Sequence, residues 1–258
     1  GSIPLDTRLR RCCRPSARIV TLLSFSRPSA GNNVATGTDG PQQRHNRGED
    51  VAMTSSKDRT RVRRLPEKAV SERAALNATL DAALVAHVAV IDDGQPYVVP
   101  MACARDGDRL LLHGSTGSRL MRLLAAGAPT CVTVTLLDGL VYARSAFESS
   151  MNYRSAMILG SCTALEGDDA LEGLRLLTEH LLPQRWSTLR APTRKELAAT
   201  SVLSLPLTEW SVKISDGPPD DDPADLDAPV WAGVVPLSLT AGAPVDAPDL
   251  RGDHNAAS

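Results

Sequence analysis

The stretch Arg109-Leu-Leu-Leu-His-Gly-Ser-Thr-Gly-Ser-Arg-Leu-Met-Arg-Leu-Leu124 reads as a strand, a small polar turn and a helix. The strand is the apolar run Leu110-Leu111-Leu112, and the helix carries leucines at helical spacing behind Arg119. The turn at residues 113–118 is made mostly of glycine, serine and threonine. Glycines such as Gly114 and Gly117 let a backbone approach a ligand closely, and unpaired amides at a helix start can bind an anion.

The residues of this turn, taken alone, allow two interpretations. In the first, the hydroxyls and Arg119 complete a shell around a phosphate, because charged donors form strong hydrogen bonds to such a group. In the second, Ser115, Thr116 or Ser118 caps an ordinary helix. The surrounding pattern of strands and helices decides between an anion site and a capped helix.

The composition excludes several classes of protein. The 258 residues carry a net charge of -2 and 3% aromatic residues, which argues against a nucleic-acid partner. The five cysteines form no CxxC pair, which predicts reduced thiols in a cytoplasmic protein and no metal site. No apolar run has the length of a membrane-spanning helix, so no membrane partner is expected.

Residues 1–60 are predicted to form a disordered extension. Residues 1–52 are rich in arginine, serine, glycine and proline and show no hydrophobic period. Met53 is the first methionine and is followed by Thr-Ser-Ser-Lys, so we interpret it as the natural start and the residues before it as an over-extended start site or a cloning remnant. The basic residues from Lys57 to Arg64 are expected to form a solvated arm, or one that reaches over a partner subunit or an anionic ligand.

Strand and helix patterns fill residues 61–242, the predicted folded domain, and residues 243–258 are predicted to be a disordered tail. Two Asp-Gly turns separate the first three strands, which is typical of an antiparallel meander. The strands are predicted at 85–91, 97–104, 109–113, 130–137, 140–147, 153–165, 202–214 and 230–239, and the helices at 71–84, after Ser118, at 168–182 and at 195–199.

This order of elements predicts a mainly β fold with flanking helices, in which antiparallel strands close or nearly close into a barrel. Neither GxGxxG nor GxxxxGK[ST] occurs in the chain. The glycine-containing turn is therefore neither the dinucleotide fingerprint of a parallel sheet nor a P-loop.

Five segments of the domain stand out together. They are Gly94 to Cys103 with Val99-Pro-Met101, Leu111 to Arg119, Asn152-Tyr-Arg-Ser155 with Gly160, Lys213-Ile-Ser-Asp-Gly-Pro218 and Val230-Trp-Ala-Gly-Val234. In this order they resemble the pyridoxamine 5′-phosphate oxidase-like superfamily of FMN-binding split barrels, and within it the nitroimidazole-resistance (Nim-type) branch. The resemblance covers residues 61–242 and implies an antiparallel split β-barrel.

The resemblance also implies a homodimer with two FMN sites at the subunit interface and a small-molecule substrate. It implies that Tyr153 and His113 line the site as candidate proton donors to a substrate stacked on the flavin. His113 also fits a histidine bonded to a backbone carbonyl at a strand end, and Lys213 fits a solvated strand lysine. The implied cofactor contacts are Ser115, Thr116, Ser118 and Arg119 at the phosphate, the backbone of Pro100, Met101 and Cys103 at the ring, and Arg154, Ser155 and Lys213 around the site, some of them from the partner subunit.

Two departures from the family pattern bear on the activity. Phe147-Glu-Ser-Ser150 stands where related sequences often carry a histidine-rich run, and the Arg-x-His signature of true pyridoxamine phosphate oxidases is absent. We therefore expect an FMN-dependent oxidoreductase that does not oxidise vitamin B6. Two alternatives stay open: a non-catalytic barrel that holds a flavin, a deazaflavin or a haem on His87 or His113, and a barrel without a cofactor that serves as an interaction protein.

Overall fold

The structure, a computed structural model, describes residues 59–252. Its strands are β1 (Ala69–Val70), β2 (Val85–Asp92), β3 (Gln95–Asp106), β4 (Arg109–Ser115), β5 (Pro129–Tyr142), β6 (Ser150–Ser161), β7 (Thr163–Leu165), β8 (Thr200–Pro206), β9 (Glu209–Ser215) and β10 (Gly233–Pro236). Its α-helices are α1 (Arg73–Ala82), α2 (Arg119–Ala125), α3 (Gly167–Leu181) and α4 (Arg194–Ala199). None of the helices in this part of the chain has the length and apolar character needed to cross a membrane.

The strands form one antiparallel sheet in the order β1-β9-β6-β5-β2-β3-β4-β8-β7, with β10 paired to β5. The two end strands, β1 and β7, do not pair with each other, so the barrel stays open. The predicted mainly β split barrel with flanking helices is confirmed.

A single large core fills the inside of the curled sheet. It contains Leu110 and Leu112 of β4 and Leu203 of β8, while α1 and α2 close the sheet with Leu76 and Met121. Because side chains alternate along a strand, Leu111 points the other way and packs under α3 with Ala104, Leu177 and Val202. The apolar run of β4 is therefore buried on both faces, and His113 and Ser115 share the face of Leu111.

Several predicted strand boundaries were wrong. The strands predicted at 130–137 and 140–147 are one strand, β5, whose register shifts between Leu137 and Gly139, and the chain turns after Tyr142. The strand predicted at 202–214 is two strands, β8 and β9, which are separated by a turn at Leu207; β8 pairs with β4 and β7, whereas β9 pairs with β6 and β1. The sequence concealed this turn because Leu207 is itself buried. The strand predicted at 153–165 breaks between β6 and β7, and the last strand has only four residues.

The domain boundaries at residues 60 and 242 stay a prediction. The proposed extension lies outside the described residues except for residues 59 and 60, and so do residues 253–258 of the proposed tail. Residues 237–252 contain no helix or strand.

Candidate functional site

The turn between β4 and α2, residues 115–119, forms a loop of hydroxyls and amides that we call the cradle. The Ser115 hydroxyl accepts a hydrogen bond from the Gly117 amide at 3.2 Å, and the Ser115 carbonyl accepts one from the Ser118 amide at 2.9 Å. The Thr116 amide and hydroxyl both donate to the Ala199 carbonyl, at 3.0 Å and 3.3 Å. The loop is thus fixed internally and against the end of α4, while the hydroxyl of Ser118, the N-cap residue of α2, makes no capping bond.

Gly114 has a different role from the one suggested by the sequence. A Cβ at this position would lie 2.9 Å from Cγ of Met121, so glycine is needed for α2 to pack closely on β4. At Gly117 a Cβ would meet only the Ser115 hydroxyl, at 3.5 Å, which is ordinary contact. The first glycine therefore serves helix packing, and the second leaves the surface of the cradle open.

Arg119 is the cation of the cradle. Its guanidinium carbon lies 3.9 Å from the centre of the Tyr97 ring, and its Nη1 lies 3.5 Å from Oδ2 of Asp92. The Arg119 side chain is 55% exposed, so solvent screens this ion pair, which contributes about 0–1 kcal/mol. A phosphate can therefore replace Asp92 as the partner of Arg119 at little cost.

A cavity of about 190 Å³ opens beside the cradle. Ser118 and Arg119 form its polar end, and Val90 and Val99 of the sheet line its apolar side. This space suits a phosphate and the chain attached to it, whereas a three-ring flavin has to extend over the neighbouring surface.

His113 lies at the end of β4, on the face covered by α3. It pairs with Val202 of β8 and is half-buried. Loss of water disfavours the imidazolium form, so burial lowers the pKa of His113 below 6.5. The neutral ring has one donor and one acceptor nitrogen, which suits a group that exchanges a proton with a substrate.

We expect the His113 ring to titrate below pH 6.5 in the folded protein. The unfolded chain then binds the proton more readily, so the free energy of unfolding should fall as the pH drops through 6.5 and level off below the folded-state pKa. An NMR titration of the ring protons measures the first effect, and urea unfolding across this pH range measures the second. His113→Gln should lose this component of the pH dependence; a midpoint at or above 6.5 would contradict the expectation.

Three residues of β3 were predicted to contact a flavin ring through the backbone. Pro100 is exposed on the outer face of the sheet, and Met101 packs against the core. The Cys103 side chain is 2% exposed, and burial raises the pKa of its thiol to about 11. A ligand can reach Cys103 only at its backbone, and the contacts of all three residues stay predictions.

The remaining predicted site residues lie away from the cradle. Tyr153, Arg154 and Ser155 are on β6, which β5, β2 and β3 separate from β4, and Lys213 is on β9 beyond β6. The Arg154 guanidinium donates to both carboxylate oxygens of Asp138, at 2.9 Å and 2.8 Å. Within one protomer the structure brings Ser115, Thr116, Ser118 and Arg119 together but does not add the residues of β6 and β9 to them.

The outer face of the sheet carries two hollows that the sequence did not reveal. The first, the apolar groove, has a volume of about 550 Å³ and is lined by Arg59, Ala89, Val90, Ile91, Pro96, Pro129, Thr130, Cys131, Leu159, Gly160 and Ser161. The second, the basic cavity, has a volume of about 340 Å³ and is lined by Thr60, Arg61, Val62, Arg64, Thr133, Ser155, Ala156, Met157, Ser211 and Lys213. The sequences of β2 and β3 do carry a signal for these hollows. A strand with one face in water has polar residues at every second position, whereas these two strands have apolar residues at nearly every position.

The described part of the basic arm lies against these hollows. Arg59 donates to both carboxylate oxygens of Glu209, at 3.0 Å and 2.7 Å, and Lys213 Nζ donates to the Arg64 carbonyl at 3.2 Å. Arg59 lines the groove, and Arg61 and Arg64 line the basic cavity. From residue 59 onward the arm is thus part of the sheet surface and not a freely solvated segment.

Comparison with known proteins identifies the family. Residues 72–214, more than half of the chain, match the family model described as pyridoxamine 5′-phosphate oxidase. The FAD and haem binding protein from Mycobacterium smegmatis is 48% identical over 71% of this chain and 91% of its own, with a TM-score of 0.69. The flavocytochrome Anf3 from Azotobacter vinelandii is 39% identical over 78% of this chain and 94% of its own, with a TM-score of 0.73.

A 5-nitroimidazole antibiotic resistance protein from Bacteroides thetaiotaomicron also matches, at 21% identity over 57% of this chain and 86% of its own, with a TM-score of 0.49. No match was found among curated proteins. The range matched by the family model contains the first three of the five sequence segments, the beginning of the fourth and none of the fifth. This chain belongs to the pyridoxamine 5′-phosphate oxidase family.

Proposed function

We propose that this protein binds a flavin nucleotide with its ribityl phosphate in the cradle, and that it is an oxidoreductase acting on a small molecule stacked on the flavin. The observation that carries the proposal is the donor set at the end of β4. The Ser118 hydroxyl makes no capping bond, and Arg119 is only loosely paired beside an open cavity. The names of the two relatives at 48% and 39% identity support the same assignment.

The residues of the cradle fit a phosphate. A hydrogen bond to a charged group contributes about 1.5–3 kcal/mol, and Arg119 and the hydroxyls of Ser115 and Ser118 offer several such donors. The Thr116 hydroxyl, which donates to the Ala199 carbonyl, holds the loop in place. Helix α2 has only seven residues, so its dipole adds little. Binding should therefore depend on the side chains of the cradle.

FMN and FAD share the ribityl phosphate, so the cradle fits both. FMN is the cofactor that the sequence resemblance implies, and the name of the first relative favours FAD. When bound, either flavin supplies the electron-transfer chemistry. The chain holds the phosphate at Ser118 and Arg119, supports the ring along Pro100 and Met101, and exchanges a proton with the substrate at the neutral ring of His113.

We further propose that a second copy of the chain completes the site. Tyr153, Ser155 and Lys213 lie on the outer face of the sheet, where Ile91 and Val98 are 67% and 60% exposed. Pairing of two such apolar faces would bury these side chains and bring β6 and β9 of one protomer near the cradle of the other. The cytoplasm is the proposed compartment, and the free thiols of Cys103, Cys131 and Cys162 fit its reducing conditions.

Haem is the second cofactor that we propose, because the name of the first relative includes haem and that of the second describes a flavocytochrome. Haem would supply one-electron chemistry beside the flavin. The outer face of the sheet offers the three features that a haem site requires: an exposed histidine for the iron, an apolar groove for the macrocycle and a group of cations for the carboxylates.

Cofactor analysis of the purified protein tests the flavin assignment. We expect yellow protein whose flavin is released on denaturation, with chromatography distinguishing FAD from FMN. Stripped protein should quench the fluorescence of added FAD and FMN and bind riboflavin, which lacks the phosphate, more weakly. Sedimentation tests the dimer, and NAD(P)H consumption or nitro-group reduction tests turnover. Colourless protein that quenches neither nucleotide would overturn the proposal.

A further inference from the structure

We infer that His87 is the axial ligand of the haem and that the basic cavity binds the haem propionates. This inference rests on the haem binding proposed above and assigns its site. It draws on three features of the outer sheet face: the exposed imidazole of His87, the apolar groove on one side of it and the cations on the other.

The His87 imidazole is exposed on the outer face of the sheet. Its position on β2 pairs with Pro100 of β3 and Thr133 of β5, which places it in the middle of the outer face. Within residues 59–252 no hydrogen bond or ion pair engages the ring. Either ring nitrogen is therefore available to an iron, and neutral imidazole is a common axial ligand of haem.

The other described histidines are less suitable. Nε2 of His180 lies 2.8 Å from the Ala83 carbonyl, so this nitrogen is already engaged. His113 is half-buried on the face of β4 that packs under α3, whereas His87 is exposed. His87 is thus the described histidine best placed to meet a large planar ligand on the outer face of the sheet.

The apolar groove begins one row of side chains from His87. Ala89, two residues along β2, points to the same face and pairs with Cys131 of β5, which pairs with Leu159 of β6. These residues line the groove, and the small side chains of Ala89 and Cys131 leave room above the sheet. Its volume of about 550 Å³ lies within the range of about 300–1,000 Å³ that is usual for cofactor and ligand sites.

The basic cavity begins on the other side of the same histidine. Thr133, the direct strand partner of His87, lines it, so its edge is about 5 Å from the His87 backbone. Arg61, Arg64 and Lys213 surround the cavity, and none of them has a carboxylate partner in the described part of the chain. Haem has an apolar macrocycle and two carboxylates on one edge. This distribution of polarity matches the order of features across the sheet face, from the apolar groove past His87 to the cations.

Met157 does not supply the ligand on the opposite side of the iron. It pairs with Thr133 and therefore projects from the same face of the sheet as His87. His87 would hold a haem on this face of the sheet. This chain then supplies one axial ligand from the sheet.

Haem titration of wild-type protein and His87→Ala tests the ligand assignment. We expect wild type to bind haemin at one equivalent with a shifted Soret band, and His87→Ala to bind at least tenfold more weakly with an altered Soret band and altered electron paramagnetic resonance. In His87→Gly, added imidazole should restore the wild-type spectrum. His180→Ala is the matched control and should keep the wild-type haem spectrum. Unchanged flavin binding in each variant shows that the fold is intact.

Arg61→Gln combined with Arg64→Gln tests the propionate assignment. This variant should bind haemin about tenfold more weakly, since each lost charge-assisted bond costs about 1.5–3 kcal/mol and solvent screens part of it. Haemin dimethyl ester, which lacks the carboxylates, should bind wild type and variant equally. A wild-type spectrum in His87→Ala, or its loss in His180→Ala or His113→Ala instead, would overturn the ligand assignment while leaving the flavin proposal intact. Wild type that binds flavin but no haemin would overturn the haem proposal and this inference together.

Discussion

Replacement of both Ser118 and Arg119 by alanine is expected to weaken FAD and FMN binding about a hundredfold. Loss of the Arg119 bond to a phosphate should cost about 1.5–3 kcal/mol, and loss of the Ser118 hydroxyl should add about 1 kcal/mol. Together these approach the roughly 3 kcal/mol that corresponds to a hundredfold change in the dissociation constant. Fluorescence quenching with stripped protein measures the effect directly.

Two controls separate phosphate recognition from a general disturbance of the fold. Arg122 lies in the last turn of the same helix and is exposed, so Arg122→Ala should bind both nucleotides as wild type does. Riboflavin has no phosphate, so its affinity should be the same in wild type and in the double variant. If the double variant bound riboflavin and FMN with equally reduced affinity, the phosphate would have to lie elsewhere.

Asp221→Ala is expected to lower the free energy of unfolding by about 3 kcal/mol, which would be a large fraction of the stability of a domain. The Asp221 side chain is 2% exposed, and its carboxylate accepts from the Arg144 amide at 2.5 Å and from Arg144 Nη1 at 2.7 Å. Nε of Arg144 is already buried without a hydrogen-bond partner. Without Asp221, most of this guanidinium would stay buried and uncompensated.

The neighbouring Asp220 provides the matched control. It is exposed, and Asp220→Ala should change the free energy of unfolding by less than about 0.5 kcal/mol. Urea unfolding followed by circular dichroism compares the two variants. A loss below about 1 kcal/mol in Asp221→Ala would show that the pair with Arg144 contributes no more than an exposed ion pair.

The local patterns of the sequence predicted the fold class well. The Asp-Gly turns and alternating apolar residues gave the meander of β2, β3 and β4, because both signals depend on residues close together in the chain. The turn at Leu207 was missed because the alternation of buried leucines, Leu203 and Leu205 of β8, runs on into the turn residue itself. The shift in β5 was missed because it depends on the pairing with β6, a strand that comes later in the chain.

The candidate site was predictable only in part, because some of its residues are close together in the chain and others are brought together only by strand pairing. The cradle is continuous in sequence, so its glycine, serine and arginine residues were recognisable together. The grouping of His87 with Arg61 and Lys213 depends on pairing across β2, β5, β6 and β9 and on the path of the arm. Tyr153 and Lys213 were attached to the cradle by resemblance, and a single protomer does not bring them there.

The open barrel has one further consequence, which concerns how copies of the chain can meet. An unpaired strand edge can recruit strands from other molecules and so lead to aggregation. Here the two terminal strands of the sheet, β1 and β7, have only two and three residues, so each offers few free backbone groups. Open-ended growth at the edges is therefore disfavoured, and the dimer proposed above would instead form through the broad apolar face of the sheet.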